Sequence, residues 1–119
     1  MRPLRFLSSF AACILWFGPA GAHARLERST PAAGATLSQV PAAVTIYFDS
    51  ELEPVFSKLI VNNEQGEKVS TGDGAVSPDD HKVLVTKIAV AGKGTYHVFW
   101  DVVSHDGHRV KGDYVFTVK

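Results

Sequence analysis

Apolar and polar residues alternate along much of this 119-residue chain, and alternation at period two marks half-buried β-strands. Residues 44–49 place Val44, Ile46 and Phe48 on one face. Residues 94–103 set Tyr96, Val98, Trp100 and Val102 against His97 and Asp101 on the other face. A last strand over residues 112–119 turns Tyr114, Phe116 and Val118 inward. Shorter strands are predicted over residues 26–29 and 56–61 and around Val83 and Val85. Residues 30–41, with two prolines and a glycine, read as a loop, and residues 62–66 as a turn. Residues 70–80, polar and carrying Gly72, Gly74 and Pro78, read as a mobile surface loop. No stretch holds helical periodicity. About seven short strands predict an all-β, immunoglobulin-like Greek-key β-sandwich, with a small barrel as the competing architecture. No internal repeat or second domain is evident.

The N-terminal segment breaks this pattern. Arg2 and Arg5 precede a short apolar run over residues 6–17, and Gly18, Pro19 and Gly21 then lead into small residues. This is the layout of a secretory signal peptide. The apolar run is shorter than the ~20 residues that span a bilayer. Ala20-Gly21-Ala22 fits the small-x-small cleavage rule, and a cut after Ala22 makes His23 the first residue of the mature protein. Ala22-His23-Ala24 fits the same rule, and a cut there discards His23. Lipidation of Cys13 is a third fate, although Phe10-Ala11-Ala12 is a poor lipobox. The chain is accordingly divided into a signal peptide, residues 1–22, and one exported domain, residues 23–119, which is not membrane-embedded after cleavage.

Removal of the leader changes the chemistry available. The only cysteine, Cys13, and the only methionine, Met1, leave with it. No disulfide, thiol nucleophile or sulfur ligand remains. Without Arg2 and Arg5 the domain holds ten basic and twelve acidic residues, and no basic patch points to nucleic acid. All the histidines stay: His23, His81, His97, His105 and His108.

Ser104-His105-Asp106-Gly107-His108 joins the two strongest strands. Asp-Gly between β-runs is first a hairpin signal, and two imidazoles around a carboxylate are an unusual turn composition. Asp106 and His108, two apart, converge readily in a turn. An N-terminal His23 offers its amine and ring Nδ1, His108 a further nitrogen, and Asp106 an anionic oxygen. Nitrogen and oxygen donors in a tetragonal array suit Cu(II) or Ni(II), and Cu(II) binds such ligands more tightly than Zn(II). An α-amine has an ordinary pKa of about 7.7–8.0, so its deprotonation near neutral pH is undemanding.

These residues carry a family resemblance. His23, then Ser29-Thr30-Pro31-Ala32-Ala33-Gly34, Ile46-Tyr47-Phe48-Asp49-Ser50-Glu51, Gly94-Thr95-Tyr96-His97-Val98-Phe99-Trp100, Val103 to His108, Gly112 and Phe116-Thr117-Val118 together resemble the CopC family of periplasmic copper-binding proteins. The resemblance spans essentially the whole mature chain. It implies a cupredoxin-like or immunoglobulin-like sandwich that binds one Cu(II) ion through His23, Asp106 and His108. It also implies a non-enzymatic role in copper homeostasis or resistance, with an inner-membrane partner of the CopD type. Some members hold Cu(I) in a methionine-rich loop. The corresponding residues 70–80 contain no methionine, so no Cu(I) site is expected.

Other residues admit several roles. His105 is expected as an exposed turn residue, with a spare ligand or a donor behind the ligands as alternatives. His97 is expected to be structural or solvent-facing, and Asp79-Asp80-His81 a solvated loop. Glu51 is either a surface carboxylate or a support for a ligand. Trp100 is expected in the core near the site. Ser104, His105 and Asp106 are consecutive and cannot form a hydrolase triad. Two rival functions remain: a small copper monooxygenase with an N-terminal histidine, and a non-metal adhesion or assembly module.

Overall fold

The computed structural model describes residues 24–89 and 92–119; the segment read as a leader and His23 lie outside the described residues. The chain forms eight strands: β1 (Leu26–Thr30), β2 (Thr36–Leu37), β3 (Ala43–Phe48), β4 (Lys58–Asn62), β5 (Ala75–Val76), β6 (Val83–Lys87), β7 (Gly94–Val103) and β8 (Arg109–Val118). A 3-10 turn over Pro54–Phe56 precedes β4. Two four-stranded sheets result, one ordered β1-β3-β6-β5 and the other β2-β8-β7-β4. All neighbours are antiparallel except β2, which runs parallel to β8. In chain order this is the immunoglobulin arrangement of strands A-B-E-D facing C-F-G, with β2 added at the edge. The sandwich expectation therefore holds, and the barrel does not.

The alternation read along the chain is the alternation of burial. Val44, Ile46, Phe48 and Leu84 face inward from one sheet; Leu59, Val61, Tyr96, Val98, Val102, Tyr114, Phe116 and Val118 face them from the other. Tyr96 and Phe116, cross-strand partners in β7 and β8, stack with centroids 5.1 Å apart. The Tyr96 hydroxyl bonds back to the backbone of Gly92, whose N–H lies 2.8 Å away, the tyrosine corner of immunoglobulin-like sandwiches. Thr86 is buried among these side chains, and its hydroxyl has no hydrogen-bond partner among the described residues.

Several expectations are corrected. Residues 70–80 do not form a free surface loop: they contain β5, and Ser70 and Val76 are buried. Residues 69–73 also close the β4 edge, where Val69 N–H donates to Val61 O and Leu59 N–H to Asp73 O. That covers an edge otherwise open to pairing. The segment read as a loop over residues 30–41 contains β2. The last strand begins at Arg109 rather than residue 112, and Phe56 belongs to the 3-10 turn. Trp100 is half-buried rather than fully in the core; its ring lies edge-on to Phe48 and directly against Gly112.

Candidate metal centre

The β7–β8 hairpin presents the loop that the sequence singles out. Ser104 N–H donates to His108 O at 2.9 Å, and Gly107 N–H donates to Ser104 O at 2.8 Å. Gly107 has φ +88°, in the left-handed region where glycine is unstrained. The connection is therefore tight, and Asp106 and His108 are forced to the same place. His108 Nδ1 lies 3.1 Å from Asp106 Oδ1, with the two side chains about half exposed. The Ser104 hydroxyl donates to Asp106 Oδ1, and the His108 backbone N–H approaches the same oxygen at 3.3 Å. These contacts, the Ser104 hydroxyl first and His108 next, hold the Asp106 carboxyl at a pKa of about 2. Asp106 is therefore a carboxylate at any pH near neutral, the form a metal requires.

The loop is braced from outside the hairpin by residues 51–57. Leu52 bridges Ser104, His105 N–H donates to Glu51 O at 2.9 Å, and Glu53 N–H donates to Val103 O at 2.8 Å. His105 Nδ1 lies 3.0 Å from Glu53 Oε1, on a ring that is 80% exposed. His105 is thus the exposed turn residue expected, pinned at one nitrogen. Glu51 contributes its backbone carbonyl, and its side chain stays on the surface.

The same end of the sandwich receives the beginning of the domain. Arg25 N–H donates to Asp49 Oδ1 at 2.8 Å, and Asp49 N–H donates to Arg25 O at 2.9 Å. The Arg25 amide is also the chief reason the Asp49 carboxyl titrates below its ordinary value. Ala24 is buried in the core. Residues 49–52 thus link two features, the Arg25 anchor at one end and the Ser104 bridge at the other.

Among the described residues the remaining histidines do not join Asp106 and His108 in a metal-binding group, although the His81 carbonyl accepts from Leu52 N–H. His97 projects from the outer face of β7, pairs with Asp113 at 2.6 Å and stacks on Phe99. His81 sits in an exposed turn, where Lys82 N–H donates to Asp80 Oδ1. Among the described residues no third His, Cys, Asp or Glu completes a metal-binding group with any pair. Asp106 and His108 are brought together, and the reading of His23 lies outside the described residues. Sequence reasoning missed Ser104, Glu53 and Asp49 as partners in this region. The only local signal was Ser104 two residues ahead of Asp106.

Comparison with known proteins gives the domain its relatives. Protein YobA of Escherichia coli strain K12 is 36% identical over 119 residues, covering 99% of this chain and 96% of the relative. Copper resistance protein C of Pseudomonas syringae pv. tomato is 35% identical over 120 residues, covering 96% and 94%. The crystal structure of CopC from Methylosinus trichosporium OB3b superposes with a TM-score of 0.72 at 29% identity, covering 82% of this chain and 94% of that one. The CopC domain profile matches residues 26–119, β1 through the last residue. With the sandwich and the Asp106–His108 loop in place, the chain belongs to the CopC family.

Proposed function

We propose that the mature protein is a periplasmic Cu(II) carrier or buffer in copper homeostasis, holding one ion through His23, Asp106 and His108. The observation that carries this reading is the convergence of an ionised Asp106 carboxylate and the His108 imidazole on one tight loop. That loop lies at the end where Arg25 and Ala24 bring in the start of the domain. In a mature chain beginning at His23, that residue directly precedes Ala24 in sequence. Its amine and ring would then add two nitrogens to an imidazole and a carboxylate, the donor set suited to tetragonal Cu(II). Membership of a family containing copper resistance proteins supports the same metal.

The reading extends to export by the leader, binding without catalytic turnover, and delivery to an inner-membrane copper transporter of the CopD type. With no methionine after Met1, soft-ligand Cu(I) binding is not part of it. The test is the intact mass of the natively exported protein followed by Cu(II) titration of the same sample. A mass beginning at His23, one tight equivalent of Cu(II), and loss of that binding in Asp106→Ala or His108→Ala are expected. A mass beginning at Arg25 would refute the His23 chelate. Copper-dependent oxidation of chitin or cellulose with ascorbate, followed as oxygen consumption, would replace the carrier with the monooxygenase.

A further inference from the structure

Asp106 receives its contacts asymmetrically. Among the described residues, the Ser104 hydroxyl, the His108 backbone N–H at 3.3 Å and His108 Nδ1 at 3.1 Å all meet Oδ1, and none meets Oδ2. Of the three, only the Ser104 hydroxyl belongs to a buried residue. Ser104 is 2% exposed. Its backbone is held on both sides: its N–H donates to His108 O, its carbonyl accepts from Gly107 N–H, and it bridges Leu52. Its oxygen also lies 3.2 Å from His108 O. A hydroxyl has one proton to give, and the ionised carboxylate is the stronger acceptor. The hydroxyl is therefore a buried, fixed donor aimed at one oxygen of a surface carboxylate.

We propose that Ser104 is a positioning residue for the copper site, locking Asp106 Oδ1 so that Oδ2 is the oxygen presented to the metal. This rests on the copper reading above and goes beyond it, since nothing in that reading gives Ser104 a part. The physical logic is that of hydrogen bonds made by metal-binding carboxylates. A bound carboxylate that also accepts a hydrogen bond is oriented in advance, and loss of such a partner commonly weakens metal binding 10–100-fold. Without the hydroxyl, the carboxylate of Asp106 rotates about its terminal torsion, which is broad and roughly two-fold. Both oxygens then compete for the ion.

The experiment compares Ser104→Ala, Ser104→Thr and Asp106→Ala in natively processed protein whose terminus has been checked by mass. Cu(II) affinity is measured by chelator competition, the copper environment by electron paramagnetic resonance, and folding by Tm without metal. Ser104→Ala is expected to bind Cu(II) roughly 10–100-fold more weakly, with a changed copper hyperfine splitting. Ser104→Thr, which keeps the hydroxyl, is expected to restore both. Parental affinity and spectrum in Ser104→Ala, alongside weakened binding in Asp106→Ala, would overturn the positioning role and leave the copper reading standing. Ser104→Thr binding as weakly as Ser104→Ala at an unaltered Tm would overturn it too. Undiminished affinity in Asp106→Ala would instead refute the copper reading itself and take the positioning role with it.

Discussion

Asp106 illustrates how a short-range contact sets the chemistry of a single residue. Its carboxyl sits at about 2 in the folded protein against an ordinary 3.8. A carboxyl depressed by folding adds stability that is complete above the unfolded value and disappears as pH falls through the folded one. The contribution is thus present near neutrality and drains away between pH 3.8 and about 2. Acid unfolding should show it: the stability difference between the parent protein and Asp106→Asn narrows over that interval and closes below it. In Ser104→Ala the Asp106 carboxyl, followed by carbon NMR, should titrate higher, toward 3.8, because its largest depressing contact is gone. Asp106 two positions before His108 is legible in the sequence. The service of Ser104 is not, since a serine in a turn has many possible partners and only the folded loop selects one.

At the scale of elements, two positions bear on the sandwich directly. Gly112 lies against the Trp100 indole, where an added Cβ would come 2.2 Å from the ring. Gly112→Ala should therefore force the indole aside and cost about 1–3 kcal/mol, as overpacking does. Chemical denaturation would measure it, and tryptophan fluorescence would report the displaced ring. Thr86 has the opposite defect, a buried hydroxyl without a partner among the described residues. Thr86→Val should raise stability by about 1 kcal/mol, because it removes an uncompensated polar group from the core. A lower Tm would show that the hydroxyl has found a partner, such as a buried water.

The long strands β3 and β7 announce themselves by alternation over six and ten residues. Strands β2 and β5, at two residues each, are too short to leave a period. The start of β8 is hidden for another reason. Val110 packs against the core, but Gly112 follows it on the same face without a side chain, so the unbroken apolar rhythm starts only at Tyr114. Both kinds of miss come from strand pairing supplied by neighbours, where local pattern carries no information.

For the whole molecule, the proposed copper site predicts a link between metal binding and folding. A ligand held only by the native state stabilises it in proportion to the logarithm of its concentration over Kd. Cu(II) at a hundred times Kd should therefore add ~2.7 kcal/mol to the parent protein. The same addition should leave the Tm of Asp106→Ala nearly unmoved. A form beginning at Arg25 should behave like Asp106→Ala in this assay while retaining the sandwich, because β1 through β8 all lie beyond the cut. Calorimetry with and without copper checks both. Equal shifts in all three forms would mean that the ion binds elsewhere.

The order of residues alone was enough for the class of fold, the course of β3 and β7, the lack of cysteine and methionine beyond residue 13, and the Asp106–His108 pair. Each of these follows from composition or from periods and turns a few residues long, which local chain geometry enforces. The rest came from packing between distant segments. It laid residues 49–52 between Arg25 and Ser104, set Glu53 against His105 across 52 positions of sequence, and aimed a buried hydroxyl at one oxygen of Asp106. Those contacts depend on which strands lie side by side once both apolar faces have found each other. Burial of the whole core decides that, and no local run of residues can.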